Sequence, residues 1–196
     1  MGRKISGDAL DVLFNAARSY NAWQKTDVSD TQLHELYSLM KMGPTSANCS
    51  PARLIFLKSD AAKQRLKPCL DPGNVAKAMA APVVAIIGMD LEFYELLPQL
   101  FPHADARSWF AGHSQKIQET AMRNSSLQGA YFILAARSLG LDCGPMSGYN
   151  SERLAAEFFP GGTLVPNFIC ALGEGDPSGL FPRSPRLSFD QAGQVI

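Results

Sequence analysis

The sequence has no excess of charge of either sign and no long apolar run. Its 196 residues carry 18 lysines and arginines against 18 aspartates and glutamates, whereas a nucleic-acid-binding domain usually has a clear basic excess. No segment approaches the roughly 20 apolar residues of a membrane-spanning helix, and no apolar signal-peptide segment follows the first residues. We therefore expect a cytoplasmic protein with no nucleic-acid partner and no membrane partner.

Cysteine is scarce and scattered. Cys49, Cys69, Cys143 and Cys170 form no C-x-x-C pair, and no histidine stands at metal-binding spacing from them. We therefore expect no metal site and interpret the four as small buried apolar residues. A nucleophilic role for Cys49 is disfavoured, because its neighbours supply no cation or histidine that would lower the pKa of its thiol.

Several common catalytic motifs are absent or incomplete. The sequence contains no Walker loop and no H-E-x-x-H motif. Residues 112–116 begin like the G-x-S-x-G turn of serine hydrolases, but Lys116 replaces the last glycine and every histidine precedes Ser114. The glycines of 173–179 have the wrong spacing for a dinucleotide-binding loop, and Pro177 interrupts the helix that such a loop requires.

The chain is 46% hydrophobic, and its length suits one domain with one core. Apolar periodicity predicts helices over 8–17, 30–42, 60–70, 74–80, 114–139 and 151–159, and strands over 54–57, 82–88 and 168–173. The run 82–88 is apolar throughout, which is typical of a strand in the middle of a sheet. We interpret 90–113 as an aromatic insert, 142–149 as a glycine-rich loop, and 179–196 as an extended arm that lies on a surface, of the kind that often crosses to a partner subunit.

Four polar clusters remain as candidates for a binding site. Residues 18–23 combine a guanidinium, a hydroxyl and an amide, which together suit a phosphate. Asn74 and Lys77 share one face of a predicted helix. The loop 42–51 presents small polar side chains between two prolines, and the glycines of 144–148 allow backbone to approach a flat ligand. Each cluster alone also fits solvated surface or a loop capped by its own side chains.

Taken together, these segments resemble the nitroreductase-like flavoproteins that bind FMN. The resemblance runs over most of the chain: residues 18–23, the 44–51 loop, Asn74 with Lys77, residues 144–148 and the arginine-bearing tail. It implies an α+β fold, with a central, mainly antiparallel sheet wrapped by helices, in an intertwined homodimer. The whole chain, 1–196, would form one FMN-binding domain, with NADH or NADPH as the electron donor.

The resemblance also implies roles for individual residues. Arg18, Ser19 and Asn21, with Arg183 and Arg186, would bind the phosphate and ribityl chain of FMN. Asn74 and Lys77 would contact the flavin ring, which Pro145, Met146, Ser147 and Gly148 would line near N5. Pro44, Thr45, Ser46 and Asn48 would reach the cofactor of the partner subunit. Many relatives have a second basic residue at Asn21 and a glutamine at Ser50, so we expect weaker phosphate affinity here.

Within the family, the aromatic segment 100–110 is similar to that of malonic semialdehyde reductases, which form 3-hydroxypropionate in uracil degradation. This similarity implies a small anionic carbonyl substrate, whose carboxylate needs a cation and whose alkoxide needs a donor. Arg107 is our candidate for the cation and His103 for the proton donor. Arg107 could instead pair with Asp105 or Glu92. A broad nitroaromatic or quinone reductase, and a flavin-binding protein without turnover, remain alternatives.

Overall fold

A computed structural model describes residues 2–196. Its centre is a four-stranded antiparallel sheet in the order β1–β2–β4–β3. The strands are β1 (Ala52–Leu57), β2 (Val83–Asp90), β3 (Asp142–Met146) and β4 (Leu164–Gly173). The antiparallel sheet of the expected fold class is confirmed, and β1 and β4 begin earlier than the apolar runs alone predicted.

Strand β2 is interior and buried, as its continuous apolar run predicted. Residues 83–89 are all buried, and Ile86 lies opposite Ile55 on one side and Ile169 on the other. A strand with neighbours on both sides and helices over both faces cannot place a polar side chain in water. The interior position is therefore confirmed.

The prediction of a glycine-rich loop over 142–149 is wrong for its first five residues, which form β3. The segment reads as a loop because Gly144 and Pro145 both disfavour strands. Strand β3 is nevertheless an edge strand, where a proline is tolerated, and the side chains of Cys143 and Met146 are buried. Pairing with β4 and burial of these two side chains outweigh the local preference.

Eight α-helices surround the sheet among the described residues. They are α1 (Gly7–Leu10), α2 (Asp30–Met40), α3 (Asp60–Leu66), α4 (Pro72–Ala80), α5 (Leu97–Leu100), α6 (Ser114–Ser138), α7 (Ser151–Phe158) and α8 (Phe189–Ala192). The predicted helix over 8–17 is instead α1 followed by a π-helical segment, Asp11–Asn15. Side-chain caps from Ser29, Ser59 and Asn150 begin α2, α3 and α7, because each satisfies a free backbone N–H of the first turn.

Helices α2 and α6 cover one face of the sheet, where Leu36, Met40 and Phe132 pack against β2 and β4. Helices α3, α4 and α7 cover the other face. The segment 90–113 contains α5 and two short 3₁₀ turns, and Phe93, Leu97 and other apolar side chains form a third cluster against the start of α6. None of the helices within residues 2–196 combines the length and the apolarity that crossing a membrane requires.

Candidate functional site

The N-terminal segment, the C-terminal arm and the end of α6 enclose a cavity of about 310 Å³, which we call the arginine cavity. Five residues of the predicted phosphate-binding group meet there: Arg18, Ser19, Asn21, Arg183 and Arg186. The sequence analysis did not include a sixth polar residue of the wall, Arg137. The remaining lining residues are Ala17, Phe181, Pro182 and Ser184.

The arginine cavity is strongly cationic. Four guanidinium groups line it and no carboxylate does, and within residues 2–196 none of the four lies within 4.0 Å of a carboxylate. Their hydrogen bonds go to backbone carbonyls: Arg18 donates to Phe181 and Arg137 to Leu13. Concentrated positive charge with no counter-charge in the wall suits a phosphate, which guanidinium donors bind in a planar, often bidentate geometry.

Backbone pairing with the sheet fixes the segment that carries Arg18, Ser19 and Asn21. Tyr20 N donates to Cys143 O at 3.0 Å, and Gln24 N donates to Glu174 O at 2.8 Å. Two glycines permit this close approach. A Cβ on Gly144 would lie 2.6 Å from Tyr20 O, and a Cβ on Gly175 would clash with the Tyr20 ring, at 2.1 Å from Cδ1. The segment therefore lies directly against β3 and the end of β4.

Polar groups continue from the arginine cavity towards the loop that follows β3. Lys77 Nζ lies 3.5 Å from Asn21 Oδ1, and Trp23 Nε1 donates to Lys77 O at 3.0 Å. Asn74 Nδ2 donates to Gly148 O at 2.7 Å. Burial lowers the pKa of the Lys77 ammonium group, so an anionic ligand group beside it would offset an existing desolvation cost.

The four residues predicted to line the flavin ring differ in what they expose. Pro145 and Ser147 are exposed, whereas Met146 is buried in the core between α4 and the sheet. Of Met146, it is therefore the backbone that could line a ligand, and its place in the site remains a prediction. Gly148 lies so close to α4 that a Cβ there would meet Asn74 Nδ2 at 2.6 Å and Asp71 Oδ2 at 2.8 Å.

The 44–51 loop contains three non-glycine residues with left-handed backbone. Their φ angles are +48° at Ala47, +52° at Asn48 and +38° at Ser50. Such conformations cost about 1–2 kcal/mol for most L-residues, so surrounding contacts must hold them. Thr45 Oγ1 accepts a hydrogen bond from Ser50 N, while Pro44, Ser46 and Asn48 are exposed.

Buried amides of α6 hold this loop. Asn124 Oδ1 accepts from Ser46 N at 2.8 Å, and Gln128 Oε1 accepts from Ala52 N at 2.8 Å. Asn124 is fully buried and Gln128 is 5% exposed. Cys49 is buried beneath the loop, and this burial raises the pKa of its thiol to about 11. Cys49 is thus a poor nucleophile.

Within one chain the 44–51 loop and the arginine cavity lie far apart. The loop is bound to α6 at Asn124, and the cavity contacts α6 at Arg137. At 1.5 Å per residue, the thirteen residue steps from Asn124 to Arg137 span about 20 Å of helix axis. The predicted cofactor-binding residues therefore form two groups, and Pro44, Thr45, Ser46 and Asn48 do not join the others in a single subunit.

The two candidate substrate-side residues lie in the 90–113 segment. Arg107 pairs with Glu95 through two hydrogen bonds of 2.7 Å, so the structure has an ion pair with Glu95 instead of the alternative partners Asp105 or Glu92. The His103 ring packs edge-on against Phe101, 5.6 Å between centroids. Asn48 Nδ2 donates to Leu100 O at 2.9 Å, which joins this segment to the 44–51 loop.

Sequence reasoning missed Arg137, Asn124 and Gln128. Arg137 stands in the last turn of a helix, where a cation is common because it complements the helix dipole. Asn124 and Gln128 are four residues apart, so they share one face of α6. That spacing, on a face that also carries Phe132 and Ala136, is the only sequence signal that could have marked the two amides as buried.

Residues 15–173 match the sequence model of the nitroreductase family. A proposed NADH dehydrogenase/NAD(P)H nitroreductase of Burkholderia lata is 61% identical over 191 residues, which are 97% of this chain and 98% of that protein. Among crystal structures, a proposed nitroreductase of Bacillus subtilis has a TM-score of 0.88 at 19% identity, covering 97% of this chain and 100% of that one.

A second crystal structure is that of a proposed nitroreductase in complex with FMN from Exiguobacterium sibiricum. It has a TM-score of 0.85 at 18% identity and covers both chains completely. At this level of identity, the two structural likenesses establish the fold, which is the α+β nitroreductase fold that the sequence predicted.

Proposed function

Because this chain belongs to the nitroreductase family, we propose that it is an FMN-dependent oxidoreductase that takes electrons from NADH or NADPH. One observation carries the proposal: the arginine cavity includes Asn21, which contacts Lys77, and Lys77 shares helix α4 with Asn74, whose side chain is bonded to Gly148 O. This arrangement fits a ligand that is a dianion at one end and a flat polar ring at the other. The bound flavin would accept a hydride from the nicotinamide and transfer it to the acceptor.

The residues of this chain would bind and orient the cofactor. The guanidinium groups of the arginine cavity hold the phosphate by charge-assisted hydrogen bonds. The Lys77 ammonium group would stabilise the negative charge of a reduced flavin bound beside it, which would make reduction more favourable. Asn74, fixed by its bond to Gly148 O, orients the ring. Lys77→Met should therefore lower the midpoint potential of the bound flavin, measured by equilibration with a reference dye.

We further propose that the protein acts as a homodimer. The 44–51 loop, about 20 Å along α6 from the arginine cavity, could complete a site only in a second subunit. Exposed apolar side chains occur on α2 and α6, at Tyr37, Met122 and Leu127, and on the arm, at Phe181 and Phe189. Sedimentation with FMN absorbance should find the flavin on a particle of twice the chain mass, and a flavin-bearing monomer at all dilutions would contradict the proposal.

As the acceptor we propose malonic semialdehyde, reduced to 3-hydroxypropionate. Support comes from the resemblance of segment 100–110 and from the contact between this segment and the 44–51 loop. The loop would place Arg107 and His103 beside the partner's flavin, where Arg107 could bind the substrate carboxylate and His103 could donate a proton to the alkoxide. Glu95 holds the Arg107 guanidinium, so the substrate carboxylate would have to displace Glu95.

The decisive experiment is anaerobic. The FMN-loaded protein is reduced with NADH or NADPH, freed of excess nicotinamide and mixed with malonic semialdehyde while the flavin absorbance is recorded. Rapid reoxidation would support the aldehyde-acid reductase. Reoxidation only by a nitroaromatic or quinone would favour the second candidate, which the name of the Burkholderia relative suggests. A protein that binds FMN but never oxidises NADH or NADPH would be a flavin-binding protein without turnover.

Two matched variants test the substrate role of Arg107. Glu95→Gln removes the competing carboxylate and should lower KM for the aldehyde acid, whereas Arg107→Ala should raise it. A neutral quinone serves as the control acceptor, and its KM should change in neither variant. If Arg107→Ala leaves both KM and kcat for the aldehyde acid unchanged, Arg107 does not belong to the substrate site.

A further inference from the structure

We propose that Arg137 is an additional phosphate-binding residue of the arginine cavity and determines its preference for phosphorylated flavin. The inference rests on the proposed function. It concerns a residue outside the group that the family resemblance supplied, and it derives from the position of α6 in this structure.

Arg137 reaches the arginine cavity from a different element than the other cations. Arg18 comes from the N-terminal segment, and Arg183 and Arg186 come from the arm. Arg137 stands in the last turn of α6, is half-buried, and uses Nη1 to donate to Leu13 O at 2.9 Å. One donated bond leaves most of the five N–H donors of a guanidinium group available to a ligand.

The charge at the end of α6 gives a reason for a cation at this position. The C-terminal end of a helix carries about half a negative charge, and α6 ends beside the arginine cavity. An anion in the cavity would be repelled by that end. Arg137 places a full positive charge in the cavity wall, in the last turn of this helix, so it offsets the repulsion and adds an attraction of its own.

The cation at this position also comes from a rigid element. Arg183 and Arg186 lie on an exposed arm whose contacts here are hydrogen bonds to backbone carbonyls. Arg137 belongs to a helix of 25 residues packed on the sheet. Because its backbone is fixed before the ligand arrives, Arg137 loses less conformational entropy on binding than the arm does.

A purely structural role is the competing explanation. Arg137 bonds to Leu13 O, and its charge also acts on Asp142, whose pKa it helps to lower against the larger effect of burial. Loss of Arg137 could thus loosen the N-terminal segment without any direct effect on a phosphate. The two roles differ in their ligand dependence, because riboflavin carries the same ring as FMN without the phosphate.

The experiment compares the dissociation constants of FMN and riboflavin, measured by flavin fluorescence, in the wild type, Arg137→Gln and Arg123→Gln. Arg123 is exposed on the same helix and does not line the arginine cavity. Its replacement therefore removes one positive charge from α6 without changing the cavity wall. Arg137→Gln should weaken FMN binding about tenfold or more, since a charge-assisted hydrogen bond is lost. Riboflavin binding should stay the same, and Arg123→Gln should change neither constant.

Equal weakening of FMN and riboflavin in Arg137→Gln would overturn the proposal and assign Arg137 a structural role. Unchanged FMN binding would also overturn it. If the wild type binds neither flavin, the proposed function fails and the inference fails with it. Arg137→Lys keeps the charge and the fold without the planar donor group, and should give an intermediate loss of FMN affinity. It also provides the test if Arg137→Gln does not fold.

Discussion

The 44–51 loop and the arginine cavity are the two irregular regions of the candidate site, and they are held in opposite ways. The loop has three left-handed residues and is fixed by two buried amides of α6. The arginine cavity is enclosed by exposed chain segments whose guanidinium groups bond to backbone carbonyls. The loop is held by these bonds without a ligand, whereas four like charges in a wall that has no carboxylate favour the closed cavity most when an anion is bound.

The largest change in the free energy of unfolding is expected at Asn124. Its fully buried side chain accepts a hydrogen bond from Ser46 N and donates one to Thr120 O. Asn124→Leu should lower the free energy of unfolding by about 2 kcal/mol, because the part-buried Ser46 N–H loses its partner and an apolar side chain replaces a buried amide that fits this site. Urea denaturation measures this change. Gln118→Leu, at an exposed position of the same helix, should cost far less; equal losses would mean that Asn124 does not fix the loop.

A smaller change in the free energy of unfolding, of opposite sign, is expected at Ala47. Ala47→Gly should raise the free energy of unfolding by about 1 kcal/mol, since glycine adopts a φ of +48° without the Cβ penalty. The matched control is Ala61→Gly in α3, an exposed helical position where glycine should cost about 1 kcal/mol. Thermal unfolding of both variants checks the reversal of sign, and destabilisation by both would show that the loop is not strained.

A weaker, pH-dependent change in the free energy of unfolding is expected at Asp142, a carboxylate close enough to the arginine cavity for the charge of Arg137 to act on it. Burial raises the pKa of this carboxyl above that of the unfolded chain, against the bond from Gly175 N and the charge of Arg137. The unfolded state therefore loses its proton first as pH rises, so ionisation of Asp142 costs stability above that range. Asp142→Asn should stabilise the protein at pH 7 and not at pH 3, as urea titrations at the two pH values would reveal. An equal gain at both pH values would remove ionisation as its cause.

The smallest change in global stability is expected for Arg183→Gln. Arg183 is exposed and donates to Asn15 O and Ala17 O, so its loss should leave the free energy of unfolding within about 0.5 kcal/mol of the wild type. It should, however, speed trypsin cleavage at Arg186 on the arm. Inorganic phosphate should slow this cleavage in the wild type, and protection that is equally strong in the variant would contradict a role of Arg183 in anion binding.

Hydrophobic periodicity predicted most of the fold. Strand β2, helix α6 and the other long helices follow from apolar patterns that one core face imposes on the sequence. Strand β3 did not follow, because Gly144 and Pro145 read as a loop until β4 is known to pair with them. Cys49 was expected to be a small buried residue, and its burial confirms that expectation; the same burial raises the pKa of its thiol, in line with a disfavoured nucleophilic role.

In the candidate site, too, some features could be predicted from the sequence and others could be seen only in the structure. Local composition marked residues 18–23 and Asn74 with Lys77 as candidates that also fit solvated surface, and the resemblance to the nitroreductase-like flavoproteins is what joined them with the arm into one predicted FMN site. The roles of the individual residues remain predictions. Chemistry alone could not show that the side chain of Met146 is buried or that Arg107 is paired with Glu95.

The sequence by itself determined most of the helices and three of the four strands through apolar periodicity, and its resemblance to the nitroreductase-like flavoproteins implied the α+β fold and a site for the FMN phosphate. Only the tertiary structure decided which distant residues act together. Arg137 joins Arg18 and Arg183 in one cavity, and Asn124 holds a loop 78 residues away in the chain. Periodicity reports how each segment meets the core, whereas such pairings depend on how the segments pack on one another.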